Sequence, residues 1–242
     1  MTGARTRALV LLAAVLIAAA AVALAVGRRE NPAMAPRLAA NRPALLLLTS
    51  LPLMFGEQFS LEGGGSPALK ALQQRYRVVP ISVTDEHALA EGPLLLMAHP
   101  PAQTAENLVA LDAWVRRGGS VLLLADPMLE WPSSRPLGDP LRPPATFMDT
   151  GLLAHWGLRL EAPTKRGPAA RHLAGHEVLT ASPGRLSGGC EIAADGLVAH
   201  CRIGKGKATV VADADLLDVG DLDGPAEHNL GAVLGELAGL ER

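Results

Sequence analysis

The chain opens on an unbroken apolar run. Ala8 to Val26 reads ALVLLAAVLIAAAAVALAV, without charge, Pro or Gly. At roughly 1.5 Å rise per residue, a helix of this length crosses a bilayer's hydrocarbon core. Arg5 and Arg7 precede the run and Arg28 and Arg29 follow it, so charge sets its orientation only weakly. Three readings stand: an uncleaved anchor, a signal peptide cut near Ala23-Leu24-Ala25, or a buried helix of a soluble domain. The first two carry the remainder across the membrane. The expected organisation is a cytoplasmic N-terminus (1–7), a single transmembrane anchor (8–26), a Pro-containing linker (27–43) and an extracytoplasmic domain (44–242) at the inner membrane.

From residue 44 onward the apolar positions fall into short blocks. Ala44 to Thr49, Pro93 to Ala98, Ser120 to Ala125 and Ala208 to Ala212 are continuous runs of strand length ended by turn residues. Tyr76 to Val83 is β-branched, and Pro80 restricts it to an edge or a bulge. Between these blocks lie helical patterns. Ser66 caps one that runs to Arg75, with Pro67 at its first position. Thr104 caps another that runs to Arg117, with Leu108, Leu111 and Val115 on one face and Gly118 as its left-handed stop. Ala145 to Trp156 predicts a further helix, Leu158 to Leu160 a short strand, and Pro225 to Leu240 a closing amphipathic helix. Continuous apolar strands alternating with helices predict a mostly parallel α/β sheet covered on both faces. Asp126 to Pro144 carries six prolines and predicts a long excursion without regular structure.

Residues 181–211 read as added antiparallel strands turning at Asp195-Gly196. With the turn centred there, Cys190 faces Cys201 within disulfide reach. Two buried free thiols are the other reading. Gly204-Lys205-Gly206-Lys207 lacks the phosphate-loop spacing and precedes a strand, so it reads as a hairpin turn. His172 and His176 would share a helix face, but Gly175 and the missing Glu make them surface histidines rather than a metal pair. Gly63 to Gly65 ahead of Ser66 reads as a flexible loop.

Composition narrows the function classes. Hydrophobic residues make up 49% of the 242 positions, which excludes global disorder. A net charge of −2 and 3% aromatics give neither the basic excess nor the stacking surface of a nucleic-acid binder. Two cysteines exclude a four-cysteine zinc site. No metal or cofactor is expected.

In open α/β sheets, ligands bind beyond the carboxyl ends of the strands. The residues expected there are Thr49, Ser50, His99, Asp126, Asp213 and Asp215. Together they suggest a crevice for a polar ligand or cation, although Asp at strand ends also serves routinely as a turn cap. Trp114 and Trp156 fall on helices and read as core. Trp131, in the Pro-rich excursion, is the candidate anchor for a protein partner.

Some of these segments carry a likeness. LLLMAHPP leads into ENLVALDAWVRRGG and then SVLLLADP; later GKGKATVVADADLL precedes a helix opening near His228-Asn229. In order and spacing, residues 44–240 resemble the extracytoplasmic domain of auxiliary proteins of uncharacterised ABC-type transport systems, a group related to gliding-motility auxiliary components. The resemblance implies a flavodoxin-like, class I glutamine-amidotransferase-like fold without known catalytic activity, and an ABC permease and ATPase as partners. An active amidotransferase-like site needs a Cys or Ser on a strand-to-helix elbow with a His beside it. After the third strand the chain reads Ala98-His99-Pro100-Pro101, and no G-x-C-x-G or G-x-S-x-G occurs. The expected function is therefore non-enzymatic: a membrane-anchored auxiliary component acting by docking. The alternatives are a domain sensing a small polar ligand at the strand ends and a hydrolase with an unfamiliar site.

Overall fold

The computed structural model describes residues 35–54, 65–222, 224 and 226–241. Its centre is a seven-stranded sheet in the order β2-β1-β3-β4-β11-β10-β9. These strands are β1 (Ala44–Thr49), β2 (Arg77–Pro80), β3 (Leu94–Ala98), β4 (Ser120–Leu124), β9 (Glu191–Ile192), β10 (Val198–Ile203) and β11 (Gly206–Val211). The first five in spatial order are parallel, and β10 and β9 add on antiparallel. The sheet is therefore mixed. Two ribbons stand apart from it: β5 (Leu158–Glu161) with β8 (Arg185–Gly188), and β6 (Pro168–Leu173) with β7 (His176–Ala181).

Side chains alternate across a strand, and the continuous Leu runs use both faces. Leu45, Leu47, Leu94, Leu96, Leu122 and Leu124 enter one core; Leu46, Leu48, Leu95, Met97, Val121 and Leu123 enter the other. The first core is closed by α1 (Pro67–Arg75) and α5 (Asn229–Leu240). The second is closed by α2 (Glu86–Leu89), α3 (Ala105–Arg116) and α4 (Leu152–His155). At about 1.5–3 kcal/mol per buried Leu, these two layers supply the main driving force for folding.

Local chemistry sets the helix starts. The side chains of Ser66, Asp85 and Thr104 accept from the backbone N–H groups of Leu69, Ala88 and Asn107 respectively. Gly118, at φ 122°, follows α3. Pro80 ends β2 at the sheet edge, where its missing N–H leaves no rung of the ladder unmade.

Several expectations are corrected. The helix over 145–156 shrinks to Leu152–His155, because Leu129 N donates to Ala145 O and Phe147 N to Asp126 O, which turns 145–147 into the closing strap of the Pro-rich excursion. His172 and His176, expected as surface histidines rather than a metal pair, lie on the paired strands β6 and β7, on either side of an Ala174-Gly175 turn. The membrane part of the architecture is also corrected: among the described residues no helix is long and apolar enough to cross a bilayer. The run at 8–26 lies outside them, as do Gly63 and Gly64. The single-pass anchor and the inner-membrane placement accordingly form no part of the functional reading below.

The antiparallel edge turns about Asp195-Gly196. Ala199 faces Ile192 and His200 faces Glu191, which brings Cys201 opposite Cys190. Their sulfurs are bonded, with the Cα atoms 4.9 Å apart.

Candidate functional site

With β2-β1-β3 as the strand order, the sheet reverses direction of growth between β1 and β3, where doubly wound sheets place their ligand crevice. Here that point is stitched shut. Thr49 Oγ1 donates to Ala98 O at 2.7 Å, and Ser50 donates to His99 O through both its Oγ (2.5 Å) and its N–H (3.3 Å). His99, fully buried at φ 44°, points its Nε2 at Pro144 O, 2.8 Å away. Burial pushes the imidazole pKa down, which favours the neutral ring, and the carbonyl acceptor places a proton on Nε2. Its Nδ1 is buried without a partner. Thr49, Ser50 and His99 thus fasten the ends of β1 and β3 and the Pro-rich excursion to one another.

The carboxylates converge elsewhere. β4 and β11 run parallel, with Leu124 level with Val211. Two residues further along each strand, that register sets Asp126 beside Asp213. Asp215 follows at the start of a short helical turn, Asp215–Leu217. One oxygen from each of the three lies within 4.8 Å of the others, and all three residues are buried.

Backbone N–H groups surround the cluster. Asp126 accepts from Met128 N and Ala214 N, both at 2.8 Å. Asp213 accepts from Leu216 N (2.8 Å) and Ala181 N (3.1 Å). Asp215 Oδ2 accepts from Glu130 N at 2.8 Å, while its Oδ1 has no partner. Burial, then the charge of Glu130, raises the Asp126 pKa to about 6 against the lowering effect of its N–H donors. Burial and the Asp126 charge raise Asp215 to about 8, and burial with both neighbours raises Asp213 well above the usual carboxylate range. The sequence places all three at strand ends; only the β4–β11 pairing separates them from His99, Thr49 and Ser50.

A cleft of about 190 Å³ opens beside the cluster, bounded by Glu130, Asp215, Asp218 and Asp221 among others. Glu130 is hydrogen-bonded by the Ser182 hydroxyl. Neither Glu130 nor Asp218 stands out in the sequence, because each reaches the mouth through a loop.

Sequence reasoning also passed over Asn229. Fully buried, it accepts from Leu179 N (2.9 Å) and donates to Leu179 O (2.7 Å) and Leu216 O (3.0 Å). It therefore ties α5 to β7 and to the turn that carries Asp215. Its only sequence signal is a polar residue opening an apolar helix. Trp131 lies half-buried against the core closed by α1 and α5, while Leu137 and Leu141 further along the excursion are 87% and 69% exposed.

The family described as an ABC-type uncharacterized transport system matches residues 42–164, from the residues just before β1 to those just past β5. The chain belongs to this family. The family is an auxiliary one, which associates the chain with ABC-type transport machinery at that general level and agrees with a non-catalytic accessory role. The match includes Thr49, Ser50, His99, Asp126 and Trp131, and stops before Asp213, Asp215 and the cysteines.

No curated protein matches the chain. Among solved structures, the exo-beta-1,4-mannosidase Op5Man5 from Opitutaceae bacterium strain TAV5 is 14% identical, with a TM-score of 0.45 over 82% of this chain and 36% of its own. Gan42B, a GH42 beta-galactosidase from G. stearothermophilus, is 14% identical, with a TM-score of 0.48 over 83% of this chain and 30% of its own. A cytoplasmic protein from Salmonella typhimurium is 8% identical, with a TM-score of 0.48 over 82% of this chain and 98% of its own. The chain spans about a third of the length of the two glycosidases. The overlap is loose, and nothing of these proteins' activities carries over.

Proposed function

We propose that the chain is a non-catalytic auxiliary domain of an ABC-type transport system that works by docking to the permease and ATPase of that system. The family match over residues 42–164 carries this reading. The hydrogen bonding at the strand ends supports it: Thr49, Ser50 and His99 hold strands and loop together, which is a scaffold's use of polar groups. We assign docking to the Pro-rich excursion. It is held at its base by Asp126, Ala145 and Phe147, and it presents exposed Leu137 and Leu141 beyond the half-buried Trp131. Apolar side chains on a stretch with few internal backbone hydrogen bonds suit burial against another protein.

The test is affinity purification of the full chain after extraction in mild detergent, with the recovered proteins identified by mass spectrometry. An ABC ATPase and permease are expected with the wild type, and their recovery falls in a Leu137→Asp/Leu141→Asp variant. Absence of both, under conditions that keep other membrane complexes intact, refutes the assignment.

A further inference from the structure

The carboxylates of Asp126, Asp213 and Asp215 crowd together, and the charges acting on them come from one another and from the neighbouring acids Glu130 and Asp218. Buried like charges of this kind persist only when protons or a cation neutralise them. We propose that Asp126, Asp213 and Asp215 bind a hard divalent cation, calcium before magnesium, reached through the cleft bounded by Glu130, Asp218 and Asp221.

Three observations carry the assignment. The first is spacing. Oxygens lying within 4.8 Å of one another leave a point no more than about 2.8 Å from all three, close to the 2.3–2.6 Å of calcium–oxygen bonds. The second is an open ligand atom. Asp215 is 2% exposed, its Oδ2 is taken by Glu130 N, and its Oδ1 accepts nothing. A buried carboxylate oxygen without a donor is costly, and a cation removes that cost. The third is support. Met128, Ala214, Leu216, Ala181 and Glu130 direct their N–H groups at the carboxylates and fix their orientation, as outer groups do around metal ligands. Each carboxylate oxygen retains a second lone pair for an ion. Calcium is preferred because its 2.3–2.6 Å bonds suit this spacing of oxygens better than the 2.0–2.1 Å that magnesium demands. Asp218 and Asp221 give the mouth a negative field that draws cations in.

The test is thermal unfolding of the full chain, stripped with chelator at pH 7.5 and titrated with calcium, magnesium or manganese chloride against potassium chloride of equal ionic strength. Calcium at about 100 times its Kd is expected to raise Tm by roughly 5–10 °C, and saturably. Asp215→Asn keeps the acceptor for Glu130 N, so it unfolds cooperatively in chelator but binds calcium at least tenfold more weakly. Glu91→Gln, exposed just ahead of β3 at the opposite end of the sheet, retains the full saturating shift. No saturable response to any of the three cations overturns the proposal and leaves shared protons as the neutralising element; so does an equal response in Asp215→Asn. This outcome is separable from docking, because copurification of transport subunits does not read the cation.

Discussion

Replacing Asp215 by Asn stabilises the chelated protein at alkaline pH. Burial and the Asp126 charge move the Asp215 carboxyl from 3.8 to about 8. A group whose folded pKa is raised contributes stability that is fully present below its unfolded pKa and is lost as pH rises through its folded pKa. The window here runs from about pH 4 to pH 8. At roughly 1.4 kcal/mol per unit, the ceiling is about 6 kcal/mol. Asp215 borders the cleft, and solvent there screens part of the penalty, so about 2–4 kcal/mol is expected at pH 8.5. Asn is the suitable probe at this position because, of the three clustered carboxylates, Asp215 alone has an oxygen without a donor. The new NH₂ group can occupy the Oδ1 position while the remaining oxygen still accepts from Glu130 N. Asp126 and Asp213 titrate with the same sign, and so does His200, which Glu236 holds above its ordinary pKa; buried His99 acts in the opposite sense. Groups that Asp215 does not touch cancel when the two proteins are compared. Urea unfolding of wild type and variant in chelator, at pH 5 and pH 8.5, reads the difference directly. The variant should gain at pH 8.5, with the gap closing toward pH 5. A gap that does not change with pH, or a variant less stable at pH 8.5, refutes the electrostatic account.

Three further outcomes are expected. Asn229→Ala strands Leu179 N, Leu179 O and Leu216 O in the interior, and should cost about 3–5 kcal/mol in urea unfolding, with Asn229→Asp no better because it replaces a donor to two carbonyls by a charge. Breaking the Cys190–Cys201 bond, by reductant or by serine at both positions, opens a loop of sequence separation 11 and should lower stability by about 3 kcal/mol, seen as a drop in Tm on reduction that the double variant no longer shows. Gly206→Ala sets a Cβ 2.1 Å from Val115 O and 2.2 Å from Gly119 O, so β11 must separate from the α3–β4 connection; sharply reduced folded yield is expected, whereas Gly189→Ala, with nothing within 4 Å, should be tolerated.

Much of the fold is legible in the chain because its determinants are local. Ser66 and Thr104 announce their helices through the hydrogen bonds that any N-cap makes, and Pro80 announces an edge because it cannot donate. The turn at Asp195-Gly196 fixes a register, and the register alone sets Cys190 opposite Cys201. The misreadings are where distant partners intervene. Residues 145–151 have a helical pattern, but Asp126 O and Leu129 N claim their backbone.

The candidate site divides along the same line. The sequence by itself determined that Thr49, Ser50, His99, Asp126, Asp213 and Asp215 stand at strand carboxyl ends, because buried apolar runs must stop where polar residues begin. Which of these residues meet was decided by tertiary structure. β11 enters the sheet beside β4 although more than eighty residues separate them, and the level pairing of Leu124 with Val211 brings Asp126 to Asp213. Hydrogen bonds between β1, β3 and the Pro144 carbonyl take Thr49, Ser50 and His99 out of the same crevice. Strand order is a long-range choice, settled by which faces bury the most apolar surface together, and no local pattern encodes it.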